Sequence, residues 1–271
     1  MTANAIALIV ALALVAVFAT VLHRQRRQNE SLHAQLEAAA AELQHLQTAC
    51  SRLAPAGVVQ RFVSDRGAGG DAPVAERKVV TALFADLVGY TAMSERLEPA
   101  ALARLLNGYF QRMSDAIHDN RGHVSTFLGD GILAYFGALQ PNPWQCDDAV
   151  NAALAMQAAM RAYNVELGRE GLPALAVGIG IHRGPGLAGL VGSRERMEYA
   201  FVGRTVNLAA RVQTLTRVHH ADILVTEALR AEIDSRFVLT PMPPEMVKGI
   251  DEPVVTYAVR ARAETPAASA R

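Results

Sequence analysis

Two acidic residues stand where this chain could hold a metal ion. Asp86 ends a run rich in Val, Leu and Phe that begins at Val79, and a turn containing Gly89 follows it. Asp130 lies between two glycines that join two apolar segments, which is the pattern of a β-hairpin tip. Because an unpaired buried charge is costly, two such residues on neighbouring strand ends predict a divalent-cation site with oxygen ligands. The residues alone leave another interpretation open, in which Asp86 caps the next helix and Asp130 only makes the turn.

Composition limits the classes of function. The chain has 271 residues and a formal net charge of zero, so its charge gives no reason to expect a nucleic-acid partner. Its two cysteines, Cys50 and Cys146, are too few and too far apart for a disulfide framework or a zinc cluster. This usage is typical of a reducing compartment.

The N-terminal residues predict a membrane anchor. Ala5 to Leu22 carry no charge, and as a helix they would be ~27 Å long, close to the ~30 Å of a bilayer core. Three arginines follow within residues 23–27, which places that flank in the cytoplasm. We therefore expect a single-pass anchor in the inner (plasma) membrane with the rest of the chain cytoplasmic. A cleaved signal peptide and a buried soluble helix are the alternatives.

A heptad pattern follows the basic cluster. Apolar residues recur at alternating spacings of four and three, which predicts a parallel, dimeric coiled coil; an amphipathic helix packed on the globular domain is the alternative. The seam comprises Leu32, Leu36, Ala39, Leu43, Leu46, Cys50 and Leu53.

These patterns divide the chain into five segments. Pro55 and Gly57 end the heptad helix, and a Gly-rich stretch follows. The expected segments are an anchor over 1–22, a coiled coil over 23–54, a linker over 55–76, a globular domain over 77–262 and a disordered tail over 263–271. The globular part is long enough for one sizeable core.

Strands and helices alternate within the globular domain, which predicts an α+β fold with helices packed on a mixed sheet. We expect strands at 79–85, 123–127, 132–136, 175–181, 223–225 and 254–259, and helices at 94–119, 144–167 and 204–215. The Gly-rich run from Gly178 to Gly192 is expected to form strand and hairpin turns rather than a phosphate loop.

Four ordered motifs resemble the catalytic domain of class III nucleotidyl cyclases. They are FADLVGYT, FLGDGILAYFG, GIGIHRGPGLAGLVGS and YAFVGRTVNLAARVQTLT, and the resemblance covers Arg77 to Val259. It implies a ferredoxin-like domain that converts a nucleoside triphosphate into a 3′,5′-cyclic monophosphate and pyrophosphate. It also implies a homodimer whose active sites lie between the subunits, an arrangement that the coiled coil would favour by raising the effective concentration of the two domains.

The resemblance assigns roles to particular residues. Asp86 and Asp130, with Leu87, would bind two Mg²⁺ or Mn²⁺ ions per active site. The backbone at the following helix start would hold the triphosphate, through Leu87, Val88, Gly89 and Tyr90.

Three further residues match the family's substrate-binding positions. Asn207 and Arg211 lie one helical turn apart, where Asn207 would orient the ribose and Arg211 would stabilise charge on the α-phosphate. Lys248 would bind the distal phosphates. Taken singly, each is equally an ordinary surface residue. His182 also recurs in the family, and we expect it to be structural.

Two base-recognition positions depart from the family pattern. Adenylate cyclases of this class place a lysine and an Asp or Thr where this chain has Thr126 and Ala200, and the Glu and Cys of guanylate cyclases are missing as well. A site without these polar partners cannot select a base in the same way. ATP is the expected substrate on family frequency. The alternatives are GTP, a pyrimidine nucleotide, or a degenerate domain that binds nucleotide and acts as a regulatory module.

Overall fold

The computed structural model describes residues 23–25, 27–28, 35–42, 75–192 and 197–262. By internal contacts the chain divides into Met1–Val59 and Gln60–Arg271. In the first unit every described residue is helical. Within the described residues, no helix combines the length and apolar character needed to cross a bilayer. The predicted anchor at 5–22 and all of the heptad seam except Leu36 and Ala39 lie outside the described residues.

The second unit is built on one eight-stranded mixed sheet. Its strand order is β2-β3-β1-β4-β6-β8-β7. β5 lies off this order and pairs with the C-terminal part of β4, from Leu187 to Gly192. Among the described strands, only the β4–β6 pair is parallel, and the other pairs are antiparallel. The strands are β1 (Glu76–Leu87), β2 (His123–Leu128), β3 (Gly131–Phe136), β4 (Val177–Gly192), β5 (Met197–Val202), β6 (Ile223–Thr226), β7 (Phe237–Pro241) and β8 (Thr256–Arg262).

Five helices cover the two faces of this sheet. Successive residues of β1 alternate between two apolar clusters, because side chains along a strand point to opposite faces. Leu83 and Ala85 pack with α2 and α3, whereas Val80 and Ala82 pack with α4 and β5. The helices are α1 (Tyr90–Ser94), α2 (Pro99–Asp119), α3 (Gln145–Arg169), α4 (Arg204–His219) and α5 (Glu227–Arg230). The central strand is therefore buried on both sides.

The predicted fold class, helices on a mixed sheet, is confirmed, with three local corrections. The helix expected at 94–119 begins only at Pro99, because the residue before it, Glu98, has an extended backbone, and the separate short helix α1 ends at Ser94. The turns expected within Gly178–Gly192 are wrong, since β4 runs through the whole stretch. The elements β5, α5 and β7 were not predicted.

The glycines of β4 serve close packing rather than turns. A Cβ atom at Gly180 would lie 2.1 Å from the backbone nitrogen of Gln213 and 2.5 Å from its Cα. At Gly178 it would lie 2.3 Å from the hydroxyl of Thr216. Helix α4 thus rests directly on the backbone of β4, which fixes the position of the side chains that α4 carries.

We expect Gly180→Ala to destabilise the protein by about 1–3 kcal/mol, because the new methyl group meets backbone atoms of α4 that cannot rotate away. Gly168→Ala in α3 is the matched control, since its Cβ would have no atom within 4 Å. This second change should be neutral or stabilising by up to about 1 kcal/mol. Urea unfolding of both variants measures the difference. Equal stability of the two would contradict the close contact between α4 and β4.

Candidate active site

The two predicted metal-binding carboxylates lie side by side. Strands β1 and β3 are antiparallel with Ala85 opposite Ile132, so the β2–β3 turn that carries Asp130 lies next to Asp86. The side chain of Asp86 reaches this turn, since a Cβ atom on Gly131 would lie 3.4 Å from Oδ1 of Asp86. The strand register therefore brings the two acids together, as the sequence predicted.

The neighbouring charges of Asp130 and Arg217 perturb the carboxyl group of Asp86. Burial raises the pKa of Asp86, and the charge of Asp130 and a hydrogen bond between the two side chains raise it further. Arg217 acts in the opposite direction and lowers that pKa. Two acids that share one small site favour a bound cation, because a cation removes their mutual repulsion.

A positive group already occupies part of this site. Nη2 of Arg217, in the last turn of α4, donates to Oδ2 of Asp86 at 2.7 Å and to the carbonyl oxygen of Leu87 at 3.3 Å. Carboxylate and carbonyl oxygens are the ligands that Mg²⁺ and Mn²⁺ prefer. The donor set formed by Asp86, Asp130 and the Leu87 carbonyl therefore fits a divalent cation.

Protein ligands supply only part of a coordination shell here. No cluster of three or more His, Cys, Asp or Glu side chains suited to a metal occurs in the described part of the chain. A cation held by two carboxylates and one carbonyl leaves positions for water and phosphate oxygens. This is the usual coordination of Mg²⁺ at nucleotide sites.

Tyr109 of α2 lies near enough to the acidic pair for the charges of Asp86 and Asp130 to act on it. It is fully buried, and its hydroxyl has no hydrogen-bond partner among the described residues. Burial, together with the charges of Asp86 and Asp130, raises the pKa of Tyr109. The hydroxyl is thus a neutral donor close to the site. Helical spacing alone cannot distinguish it from a packing residue.

Only some backbone N–H groups of the predicted triphosphate-binding segment, residues 87–90, are available to bind an anion. The Val88 amide donates to the carbonyl of Ala176 at 2.8 Å, so the fold itself uses this N–H group. Gly89 has φ +74° and open space around its Cα, and α1 begins at Tyr90. The amides suited to an anion are therefore those of Gly89 and Tyr90.

Asn207 and Arg211 lie on the exposed side of α4. They project from the same face because they are four residues apart. Asn207 is ten residues before Arg217, which corresponds to about 15 Å along the helix axis. Within one chain it is therefore Arg217, and not Asn207, that reaches the acidic pair.

Lys248 is exposed between β7 and β8, next to Gly249 with φ +81°. It makes no hydrogen bond or ion pair with the acidic pair or with Arg211 among the described residues.

Tyr135 contacts the chain neighbours of the two base-recognition positions, which the sequence did not reveal. Its hydroxyl donates to the carbonyl of Phe201 at 3.2 Å, and it also hydrogen-bonds with Ser125. Burial raises the pKa of Tyr135 to about 12. Thr126 and Ala200 are the chain neighbours of these two partners. Thr126 Oγ1 reaches only the carbonyl of Phe127, and Ala200 has no polar side-chain atom.

His182 lies within β4 and hydrogen-bonds through Nδ1 to Oγ1 of Thr226 at 2.8 Å. Burial lowers the pKa of His182 to about 4, so the ring is neutral at pH 7. The acidic pair is at a different place, four residues along the strand ladder, where Asp86 faces Gly178. These contacts fit the structural role that was predicted.

The globular unit matches a known protein family. The family model described as "Adenylate and Guanylate cyclase catalytic domain" matches residues 73–261. The chain belongs to this family. Its globular unit is thus a cyclase catalytic domain by descent, as the four motifs indicated.

Individual relatives give the degree of similarity. An adenylate cyclase of Anabaena cylindrica is 37% identical over 194 residues, which are 69% of this chain and 38% of that protein. Adenylate cyclase 1 of Rhizobium meliloti is 29% identical over 76% of this chain and 30% of its own length. The chain therefore spans about a third of these curated relatives.

Two solved structures are equally similar in shape. The guanylyl cyclase Cya2 has a TM-score of 0.67 and 32% identity, over 72% of this chain and 98% of that one. The adenylyl cyclase CyaB from P. aeruginosa has a TM-score of 0.67 and 30% identity, over 70% and 97%. One is a guanylyl and the other an adenylyl cyclase, so similarity of fold does not select the base.

The neutral state of His182 predicts how stability depends on pH. The unfolded chain protonates this histidine below about pH 6.5, whereas the folded protein resists protonation down to about pH 4. The free energy of unfolding should therefore fall as the pH drops through this window, by about 2 kcal/mol between pH 7.5 and 5.0 for His182. Burial lowers the pKa of His123 to about 4 too, and it should add a similar loss.

His182→Gln should remove only the share that belongs to His182. Urea unfolding of both proteins at pH 7.5 and 5.0 measures this share, because the free energy of unfolding should fall less in the variant than in the wild type. The comparison holds whatever the stability of the variant at pH 7.5. An identical loss in both proteins would contradict a buried neutral imidazole.

Proposed function

We propose that this chain is a membrane-anchored, homodimeric nucleotidyl cyclase that converts ATP into 3′,5′-cyclic AMP and pyrophosphate. The observation that carries the proposal is the pairing of Asp86 with Asp130 beside the Leu87 carbonyl, in a fold of the cyclase family. When bound, two Mg²⁺ or Mn²⁺ ions would supply Lewis-acid activation of the ribose 3′-hydroxyl and neutralise the departing pyrophosphate.

The residues of the chain account for the remaining needs of this reaction. The ribose 3′-hydroxyl gives its proton to solvent water, and its oxygen bonds to the α-phosphorus. The bond from that phosphorus to the bridging oxygen breaks, and this oxygen leaves as part of pyrophosphate. Arg211 would stabilise the charge that grows on the α-phosphoryl oxygens, and Asn207 would orient the ribose. Lys248 would hold the distal phosphates, together with the amides of Gly89 and Tyr90.

Two chains are needed to complete such a site. Asn207 lies about 15 Å along α4 from the residue that contacts Asp86, so one chain supplies only half of the machinery at one place. Exposed apolar side chains also surround the acidic turn, namely Val88, Phe127 and Leu128. A partner that covers this patch and brings its own Asn207 and Arg211 would satisfy both features.

The N-terminal segment would bring the two domains together. In this proposal residues 5–22 anchor the chain in the inner membrane, residues 23–54 form a parallel coiled coil, and the catalytic domain is cytoplasmic. The spacing of the seam residues, Leu36 and Ala39 among them, supports this pairing.

The base is the least constrained part of the proposal. Thr126 and Ala200 lack the groups that would pair with adenine, and the similarity to Cya2 is as great as that to CyaB. A cyclase for GTP or a pyrimidine nucleotide is therefore the second candidate. The first experiment is turnover of ATP, GTP, CTP and UTP, each with Mg²⁺ and with Mn²⁺, by the whole chain in mild detergent. Cyclic products are identified by mass spectrometry.

Each outcome of this assay supports or contradicts a stated part of the proposal. A dominant cyclic AMP product supports the full proposal, and another dominant product keeps the reaction but changes the base. No product with any nucleotide from a folded dimer would overturn the enzymatic proposal and favour a regulatory nucleotide-binding module.

We expect Asp86→Ala and Asp130→Ala each to lower turnover by at least about a hundredfold, because Lewis-acid stabilisation is worth several kcal/mol. Asp115→Ala is the control, since Asp115 is an exposed carboxylate on α2 that only accepts a hydrogen bond from Gln111. Circular dichroism and thermal unfolding check that each variant folds. Full turnover in either site variant would remove the metal assignment.

Mixed dimers test whether the site is shared. Asp86→Ala and Asn207→Ala chains should each be inactive alone. A mixed dimer would keep one site with both native residues, so random mixing should restore about a quarter of the wild-type rate. The measurement is turnover after co-expression of differently tagged chains. A mixture as inactive as its components would contradict the shared arrangement.

A further inference from the structure

Arg217 contributes a cation to the acidic pair without matching any family position identified from the sequence. Its Nη2 atom touches both Oδ2 of Asp86 and the carbonyl oxygen of Leu87. These are the oxygen atoms that the proposed function gives to a divalent cation. The arginine side chain is 50% exposed and that of Asp86 only 29%, so the cation comes from the solvent side.

We propose that Arg217 is a resident counter-cation of the Asp86–Asp130 pair, which a divalent cation must displace, and that it thereby sets the metal concentration needed to fill the site. This inference rests on the proposed function, because it assumes that the pair binds metal.

The two cations compete for the same two oxygen atoms. A Mg²⁺ ion sits about 2.0–2.1 Å from its ligands. The guanidinium nitrogen is 2.7 Å from Oδ2 of Asp86 and also contacts the Leu87 carbonyl, so an ion that binds both oxygens would lie close to the guanidinium group. The two positive charges would also repel each other at this distance.

The displaced side chain has somewhere to go. Arg217 is in the last turn of α4 and half exposed, and its long flexible stem can carry the guanidinium into water without moving the helix. Helix α4 itself is held against β4 by Gln213 and Thr216. Exchange of arginine for metal therefore needs a side-chain rotation only.

Arg217 also stabilises the site before metal arrives. Without it, the repulsion between Asp86 and Asp130 would lose the positive charge that opposes it. The tethered cation keeps the carboxylates and the Leu87 carbonyl close together, at the expense of metal affinity.

A matched ion pair elsewhere separates this role from a general surface effect. Arg236 contacts Asp234 at 2.8 Å with side chains 51% and 31% exposed, compared with 2.7 Å, 50% and 29% for Arg217 and Asp86. Arg236→Gln therefore removes an ion pair of the same length and exposure at a position away from the acidic pair.

The test measures Mn²⁺ binding to the whole chain in detergent, without nucleotide, by the electron paramagnetic resonance signal of free Mn²⁺. We expect Arg217→Gln to lower the Kd for Mn²⁺ about two- to fivefold, the range that the loss of an exposed ion pair supports. Arg236→Gln should leave the Kd unchanged. Adding Asp86→Asn to Arg217→Gln should abolish the gain.

A second readout is thermal unfolding. Without metal, Arg217→Gln should lower the Tm more than Arg236→Gln does, and Mn²⁺ should reverse that extra loss. Equal or weaker Mn²⁺ binding by Arg217→Gln would overturn the role of Arg217 while leaving the metal site of the proposed function intact. If neither the wild type nor Arg217→Gln binds Mn²⁺, both proposals fail.

Discussion

The repulsion between two neighbouring carboxylates is the constraint on which the candidate site depends. Asp86 is fixed by a strand buried on both faces, and Asp130 by a turn that the β1–β3 register brings beside it. Neither residue can move away without disturbing the centre of the sheet. The fold therefore holds two acidic groups close together, and Arg217 of α4 compensates part of their charge through its ion pair with Asp86.

The separation of roles along α4 follows from the same geometry. One end of the helix contacts the acidic pair of its own chain, while Asn207 and Arg211 face outward about 15 Å and about 9 Å away along the helix axis. A helix with functional residues at two separate places suits the proposed site between two subunits. The exposed apolar residues near the acidic turn, such as Phe127 and Leu128, agree with that arrangement.

Much of the fold and the placement of the acidic pair could be predicted, because local sequence patterns specify them. The apolar run before Asp86 and the Asp-Gly turn at Asp130 specify a strand and a hairpin, and the confirmed mixed sheet then brings them together. Arg217 and Tyr109 could not be predicted, because their roles depend on contacts across 131 residues of chain in one case and on burial in the other. The glycines of β4 were misjudged for a related reason. A glycine that permits close packing looks the same in sequence as a glycine that permits a turn.

The direct contact between Gly180 and the backbone of Gln213 has a consequence for control of such an enzyme. Where α4 rests on the backbone of β4, there are no side chains between them that could slide or repack, so the helix and the strand are rigidly joined at this contact. β1 pairs with β4 along its whole length, from Glu76 to Leu87, and so belongs to the same rigid unit. In the proposed dimer, a signal that changes the distance between Asp86 of one chain and Asn207 of the other would then act by rotating or translating whole domains. Regulation of the proposed dimer would then depend on the relative orientation of two rigid catalytic domains.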